Sequence, residues 1–116
     1  MAFDRGEPEE GVNLRKLARG MDCTIRVPEV CNSNPETTVG CHYRLAGMCG
    51  VSMKPDDLFL AWGCDACHAA VDGRTKTKYA HSLLRLWHAE GVLRTQAELL
   101  KRGVISVRKA PTLGAG

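Results

Sequence analysis

The stretch that most constrains this chain is Cys64-Asp65-Ala66-Cys67-His68, with Asp72 four residues beyond the histidine. A Cys-x2-Cys pair lets one tight turn present two sulfurs to a single ion, and a tetrahedral zinc site needs such close ligands. The residues that follow read as a helix, on which His68 and Asp72 share one face. One segment then serves two sites: a closed thiolate site through Cys64 and Cys67, and an open site through His68 and Asp72. The plainer expectation is a zinc knuckle with His68 as a bystander, so the other ligands must decide.

Cys23 and Cys31 supply the second pair, with Pro28 turning the chain between them. Together the four cysteines make a thiolate set for structural zinc. The alternative is free cysteines buried as small hydrophobes. Met1 to Arg5 lack the apolar core of a signal peptide, so a cytoplasmic protein is expected, where cysteines serve metals rather than disulfides. An aromatic content of 5% in 116 residues fits a small core that needs a metal staple. Cys41 and Cys49 are left over, the latter as a structural or loose thiol.

No run approaches the ~20 apolar residues of a membrane-spanning helix, so no membrane partner is expected. The formal charge of +3 conceals an asymmetry. Residues 1–12 set Arg5 against Asp4, Glu7, Glu9 and Glu10, and the remainder carries fifteen basic and nine acidic residues. A basic body suits a polyanionic partner.

In chain order, residues 1–12 read as a disordered acidic arm. Asn13 caps a short helix from Leu14 to Arg19 that Gly20 ends, with Leu14, Leu17 and Ala18 inward and Arg15, Lys16 and Arg19 toward solvent or a partner. A strand is expected across Thr37 to Arg44, ending near His42 or Arg44, and a second from Leu58 to Trp62. Between them lies a loop with Met48, Cys49, Met53 and Lys54-Pro55. Tyr79, Leu83, Leu86 and Trp87 recur at helical spacing, with Gly91 as a stop. A further helix covers Thr95 to Arg102, with Leu99 and Leu100 inward and Gly103 at its end. Val104 to Val107 reads as a terminal strand, and 108–116 as a flexible tail. His81, Arg85 and His88 share a helix face, read as solvated in preference to a phosphate-tracking ridge. Arg44, Lys54, Arg74, Lys76 and Lys78 flank the candidate site as phosphate contacts, or as ordinary basic loop residues.

Two strands leading into a helix with His68 and Asp72, and His42 on the first strand, make a β-β-α-metal pattern. Cys41-His42, Asp56-Asp57 and Cys64-x2-Cys67-His68 resemble the HNH endonuclease motif. More closely, Leu14-Arg15-Lys16-Leu17-Ala18-Arg19-Gly20, Cys23, Val30-Cys31-Asn32, Asn34-Pro35-Glu36-Thr37, His42, Lys54-Pro55-Asp56-Asp57 and Cys64-x2-Cys67-His68 look like the small prophage-encoded proteins of the YbcO type, named as nucleases. Arg94-Thr95-Gln96 and Gly103-Val104-Ile105 fit as well, so the resemblance spans about residues 13–105.

The resemblance implies an α+β fold: a small zinc-stapled, HNH or treble-clef-like ββα-metal core with flanking helices, as one domain over 13–107. It implies a divalent-metal DNA endonuclease in which His42 is the general base. His68 and Asp72 would hold Mg2+, Mn2+ or another divalent ion. In that pattern the residue before the base often ligates as well. Here it is Cys41, whose thiolate would favour zinc over magnesium or else not ligate. The middle asparagine is absent, and Asp57, ahead of Asp56, is the candidate to orient His42, with a capped turn after Pro55 as the other reading. The rival function is a zinc-binding, non-catalytic nucleic-acid-binding or adaptor module.

Overall fold

The sheet pairs an alternating strand with one buried throughout. β1 (Val39–His42) pairs antiparallel with β2 (Leu60–Gly63), placing Val39 opposite Gly63, Gly40 opposite Trp62, Cys41 opposite Ala61 and His42 opposite Leu60. Cys41 is fully buried, and His42, one residue on, points to the half-buried opposite face. This is a computed structural model describing residues 13–45 and 56–108. The acidic arm, the 46–55 loop with Cys49 and Lys54, and the tail beyond Arg108 lie outside the described residues.

Among the described residues three α-helices flank the hairpin. α1 (Leu14–Leu17) starts at Asn13, whose Oδ1 accepts from the N–H groups of Arg15 and Lys16 at 3.1 and 3.2 Å. It is shorter than the expected Leu14 to Arg19, because the chain turns through Ala18 and leaves at Gly20 with φ +86°. Ala18 is buried with Leu60, Trp62 and Leu99, and Leu14 and Leu17 pack against that cluster. α2 (Asp65–Val71) follows β2 directly, and Gly73, at φ +80°, turns the chain away. Ile25, Val27, Cys41, Ala61, Ala70, Leu84 and Val92 form the second core beside the thiols.

α3 (His81–Lys101) is one continuous helix of 21 residues, in place of the two helices expected on either side of Gly91. Gly91 is there for proximity. A Cβ on it would stand 3.1 Å from the Ala61 Cβ and 3.2 Å from the Ile25 Cα, so the helix backbone lies directly on the loop and β2. In a helix interior glycine costs roughly 0.5–1 kcal/mol against alanine, which close packing here offsets. The inward face is also displaced from the expected one: Leu84 is buried, whereas Leu86 and Leu100 are 51% and 45% exposed. Nor is there a strand at Val104 to Val107. Gly103, at φ +75°, ends the helix, and the N–H groups of Val104 and Ile105 turn back onto the Leu99 carbonyl.

A ring of hydrogen bonds locks α3 to β2 and the Cys23–Cys31 loop. The Trp62 N–H donates to Thr95 Oγ1 (3.0 Å), Thr95 and Thr24 hydroxyls meet at 2.9 Å, and Thr24 Oγ1 donates to the Trp62 carbonyl (3.0 Å). The proton directions follow, since Thr24 has given its hydrogen to Trp62 and Thr95 must donate to Thr24. Arg94 adds a bond to the Thr24 carbonyl at 2.7 Å, and Gln96 one to the Leu58 carbonyl at 2.9 Å.

Candidate metal centre and active site

The chain folds back at Arg26 and Glu29, both at positive φ (57° and 66°), and this brings Cys23 and Cys31 to the start of α2. The sulfurs of Cys23, Cys31, Cys64 and Cys67 all lie within 4.8 Å of one another, and Cys31 Sγ is 3.9 Å from Cys64 Sγ. Four sulfurs around zinc, each ~2.3 Å from it, stand about 3.8 Å apart, so the set fits that ion. Backbone N–H groups already point at the sulfurs: Arg26 at Cys23 (3.5 Å), Val27 at Cys67 (3.4 Å) and Cys67 at Cys64 (3.3 Å). Such donors favour the anionic form of sulfur.

Proton affinities divide within the cluster. A hydrogen bond from the Cys67 thiol, supported by backbone donors, outweighs burial and pulls Cys23 down to about 4. Cys67 is raised because it keeps the shared proton, and burial raises Cys31. The cluster thus holds its protons unevenly, and a bound cation would displace them.

The second constellation opens from the other end of α2. A cleft of about 390 Å³ is lined by Arg15, Gly40, His42, Arg44, His68 and Asp72. His42 Nε2 stands 2.7 Å from Asp57 Oδ1. A neutral ring bonded to a carboxylate through Nε2 carries its hydrogen there, leaving the Nδ1 lone pair free to accept a proton. Asp56 has the capped-turn role instead: its Oδ1 accepts from the Leu58 N–H at 2.8 Å, at the head of the 3-10 turn Asp57–Phe59. Across the cleft, His68 Nε2 is 3.1 Å from Asp72 Oδ2, as a one-turn separation on α2 dictates. Arg74 also reaches Asp72, at 3.4 Å.

Cys41 does not line this cleft. Its thiol faces Ile25 and Gly63, is fully buried, and is pushed up to about 12, chiefly by burial and then by the charges of Asp72, Cys23 and Cys64. Such a thiol stays protonated, so the geometry supports packing for Cys41 rather than ligation. His68 and Asp72 thus form a two-donor pair, one imidazole and one carboxylate, with Asp72 shared with Arg74.

The basic residues divide. Arg44 and Arg74 are at or beside the cleft, Lys76 is exposed away from its lining, and Lys78 pairs with Glu29 at 2.7 Å on the cysteine loop. His88 is not on a solvated face. It is buried, its Nε2–H donates to the Cys41 carbonyl at 2.9 Å, and Tyr43 meets its ring edge-on at 5.0 Å. Burial holds its pKa below the ordinary imidazole range, against the raising effects of the Cys41 carbonyl and Asp72.

Arg15 and Gly40 are cleft residues that no motif in the sequence marks as such. Arg15 Nε lies 3.6 Å from Asp57 Oδ2, so this guanidinium sits behind the aspartate that holds His42. The signal for Gly40 is its place inside a β-branched run: a Cβ there would come within 3.6 Å of the Arg15 Cα and 3.0 Å of Leu60 Cδ2. The 3.6 Å separation from α1 is ordinary van der Waals contact, so the tighter constraint at Gly40 is the tip of the Leu60 side chain.

Known proteins resemble this chain over most of its length. The family described as "Putative nuclease YbcO" matches residues 12–104. "Putative nuclease YbcO" of Escherichia coli (strain K12) and "Putative nuclease ybcO" of Enterobacteria phage 82 are each 48% identical over 93 residues, covering 80% of this chain and 96% of theirs. A solved structure, described as that of a putative bacteriophage protein from Escherichia coli K-12, aligns with a TM-score of 0.66 at 42% identity, over 78% of this chain and 100% of its own. A chain with this four-cysteine cluster, this hairpin and helix, and a match over nearly all the described residues belongs to the YbcO family.

Proposed function

We propose that the protein is a zinc-stapled DNA endonuclease of prophage origin, built on an HNH-type ββα-metal core, that hydrolyses phosphodiester bonds with His42 as general base. The observation that carries this reading is the 2.7 Å contact between His42 and Asp57 on a cleft shared with His68 and Asp72. The names of the curated relatives support it, and the four cysteines take the structural zinc.

Asp57 holds the His42 ring through Nε2–H and leaves Nδ1 to remove a proton from water. The resulting oxygen attacks phosphorus, the bond to the sugar oxygen breaks, and that oxygen takes up a proton from solvent. His68 and Asp72 would hold a divalent ion, Mg2+ or Mn2+ among the candidates, which when bound offsets charge on the phosphate and the departing oxygen. Arg15 and Arg44 line the cleft with positive charge where the phosphate would sit, and Arg74 adds to it from Asp72.

The test is plasmid nicking across magnesium, manganese, zinc and nickel, with His42→Ala alongside. Nicking by wild type alone is expected. Equal nicking by both proteins, or none by either, would leave a zinc-binding nucleic-acid or adaptor module as the better reading. The contact of Arg74 with Asp72 favours that second reading, since it competes with a cation for the carboxylate.

A further inference from the structure

A larger cleft, about 630 Å³, lies over α1 and the start of β1, beside the one that holds His42. Among the described residues its lining is Asn13, Arg15, Lys16, Arg19, Thr38 and Val39, three cations and no acid. Among the described residues neither Lys16 nor Arg19 forms an ion pair. Thr38 is 2% exposed, yet its Oγ1 has no hydrogen-bond partner among the described residues. An unpaired buried hydroxyl is destabilising, a penalty that a ligand acceptor would remove. Arg15 belongs to both clefts, held at their junction by the close approach of α1 to Gly40.

We propose that the α1 cleft is a second phosphate subsite, which holds a backbone phosphate of duplex DNA neighbouring the one in the His42 cleft. Lys16 and Arg19 neutralise it, Thr38 Oγ1–H donates to its oxygen, and Arg15 spans the two phosphates. The pairing of this subsite with a reacting cleft rests on the nuclease reading above. Its existence as a DNA-binding surface does not.

The experiment is equilibrium binding of a labelled duplex by fluorescence anisotropy, without added divalent metal and over a salt series, using the full chain. The double variant Lys16→Gln/Arg19→Gln is expected to bind more weakly and to flatten the plot of log affinity against log salt by about 1.8, at ~0.9 per lost contact. Thr38→Val removes no charge, so it is expected to weaken binding about tenfold, as for a hydrogen bond to a charged group, with the slope unchanged. Its melting temperature should equal or exceed that of wild type, because the unpaired hydroxyl is gone. A wild type that fails to bind duplex at low salt overturns the proposal. So does a double variant with the wild-type slope, Thr38→Val with wild-type affinity, or polyglutamate that binds equally well through the same residues. If Thr38→Val does not fold, the exposed double variant still decides. Wild type that binds in this pattern but nicks nothing supports the subsite and sinks the cleavage reading instead.

Discussion

The two ends of α2 show what separates a site that holds a fold together from one that can work on a substrate. At the N-terminal end Cys64 and Cys67 meet Cys23 and Cys31 in a closed set of four donors, three of them buried, with peptide N–H groups aimed at the sulfurs. At the C-terminal end His68 and Asp72 offer two donors on an open cleft, facing a histidine and two arginines. A closed tetrahedral set leaves no place for substrate, whereas an incomplete one does. A single helix of seven residues, capped by Cys64 and Asp72, joins both, so any shift of the thiolate end moves the cleft.

The sharpest way to break this comparison is Cys64→Ser. Thiolate zinc sites supply an apparent ~10–16 kcal/mol in zinc-finger peptides. Metal and cooperative melting should therefore disappear together, read by elemental analysis and calorimetry. Native protein without zinc would end the idea of a staple. His42→Ala probes the other end and should behave oppositely, losing about 10²–10⁴ in cleavage rate with zinc and melting unchanged. His68→Ala should also lose cleavage, but with partial recovery at excess manganese, because it weakens a cation rather than removing the base.

Thr95→Val should cost less, about 1–3 kcal/mol, as a fall in denaturation midpoint with zinc retained. The Trp62 N–H would lose its acceptor inside the core, while Thr24 Oγ1 would lose the Thr95 donor but keep its own bond to the Trp62 carbonyl. The smallest effect concerns acid. Burial lowers the His88 pKa in the folded protein, so between the ordinary imidazole value of ~6.5 and that lowered value the unfolded chain binds the proton and the folded chain does not. Stability is whole above that window and falls as pH drops through it. In urea titrations between pH 7 and pH 5, His88→Gln should show a shallower decline than wild type.

Chemistry of short reach is legible in the amino-acid sequence. The cysteine spacing, the Asn13 cap, the turn at Gly103 and the adjacency of His68 and Asp72 each depend on a few neighbouring residues. What the sequence hides depends on contacts across the fold. Gly91 reads as a stop because glycine usually is one, and only the proximity of Ile25 and Ala61 turns it into a packing residue. Leu86 and Leu100 follow the helical period, but α3 is rolled so that Leu84, His88, Thr95 and Leu99 face inward. His88 and Thr95 are buried polar groups whose partners lie 47 and 33 residues away, at Cys41 and Trp62. The zinc cluster is legible for the reason that Arg15 is not: ligands advertise themselves by spacing, and a lone arginine on a basic helix does not.

The hydroxyl ring between Thr24, Thr95 and Trp62 has a kinetic consequence. Its amide donors cannot meet solvent by fraying of the short strands, because each is held from a different part of the chain: Trp62 N–H by α3, and Thr24 N–H by β2 at 2.7 Å. Exposing the Trp62 amide requires the long helix to leave the hairpin, and exposing the Thr24 amide requires the cysteine loop to leave β2. The shared hydroxyls tie the two events into global unfolding. In deuterium these two amides would exchange last and together, and they would do so at the rate at which the cysteine loop, the hairpin and α3 come apart as one body.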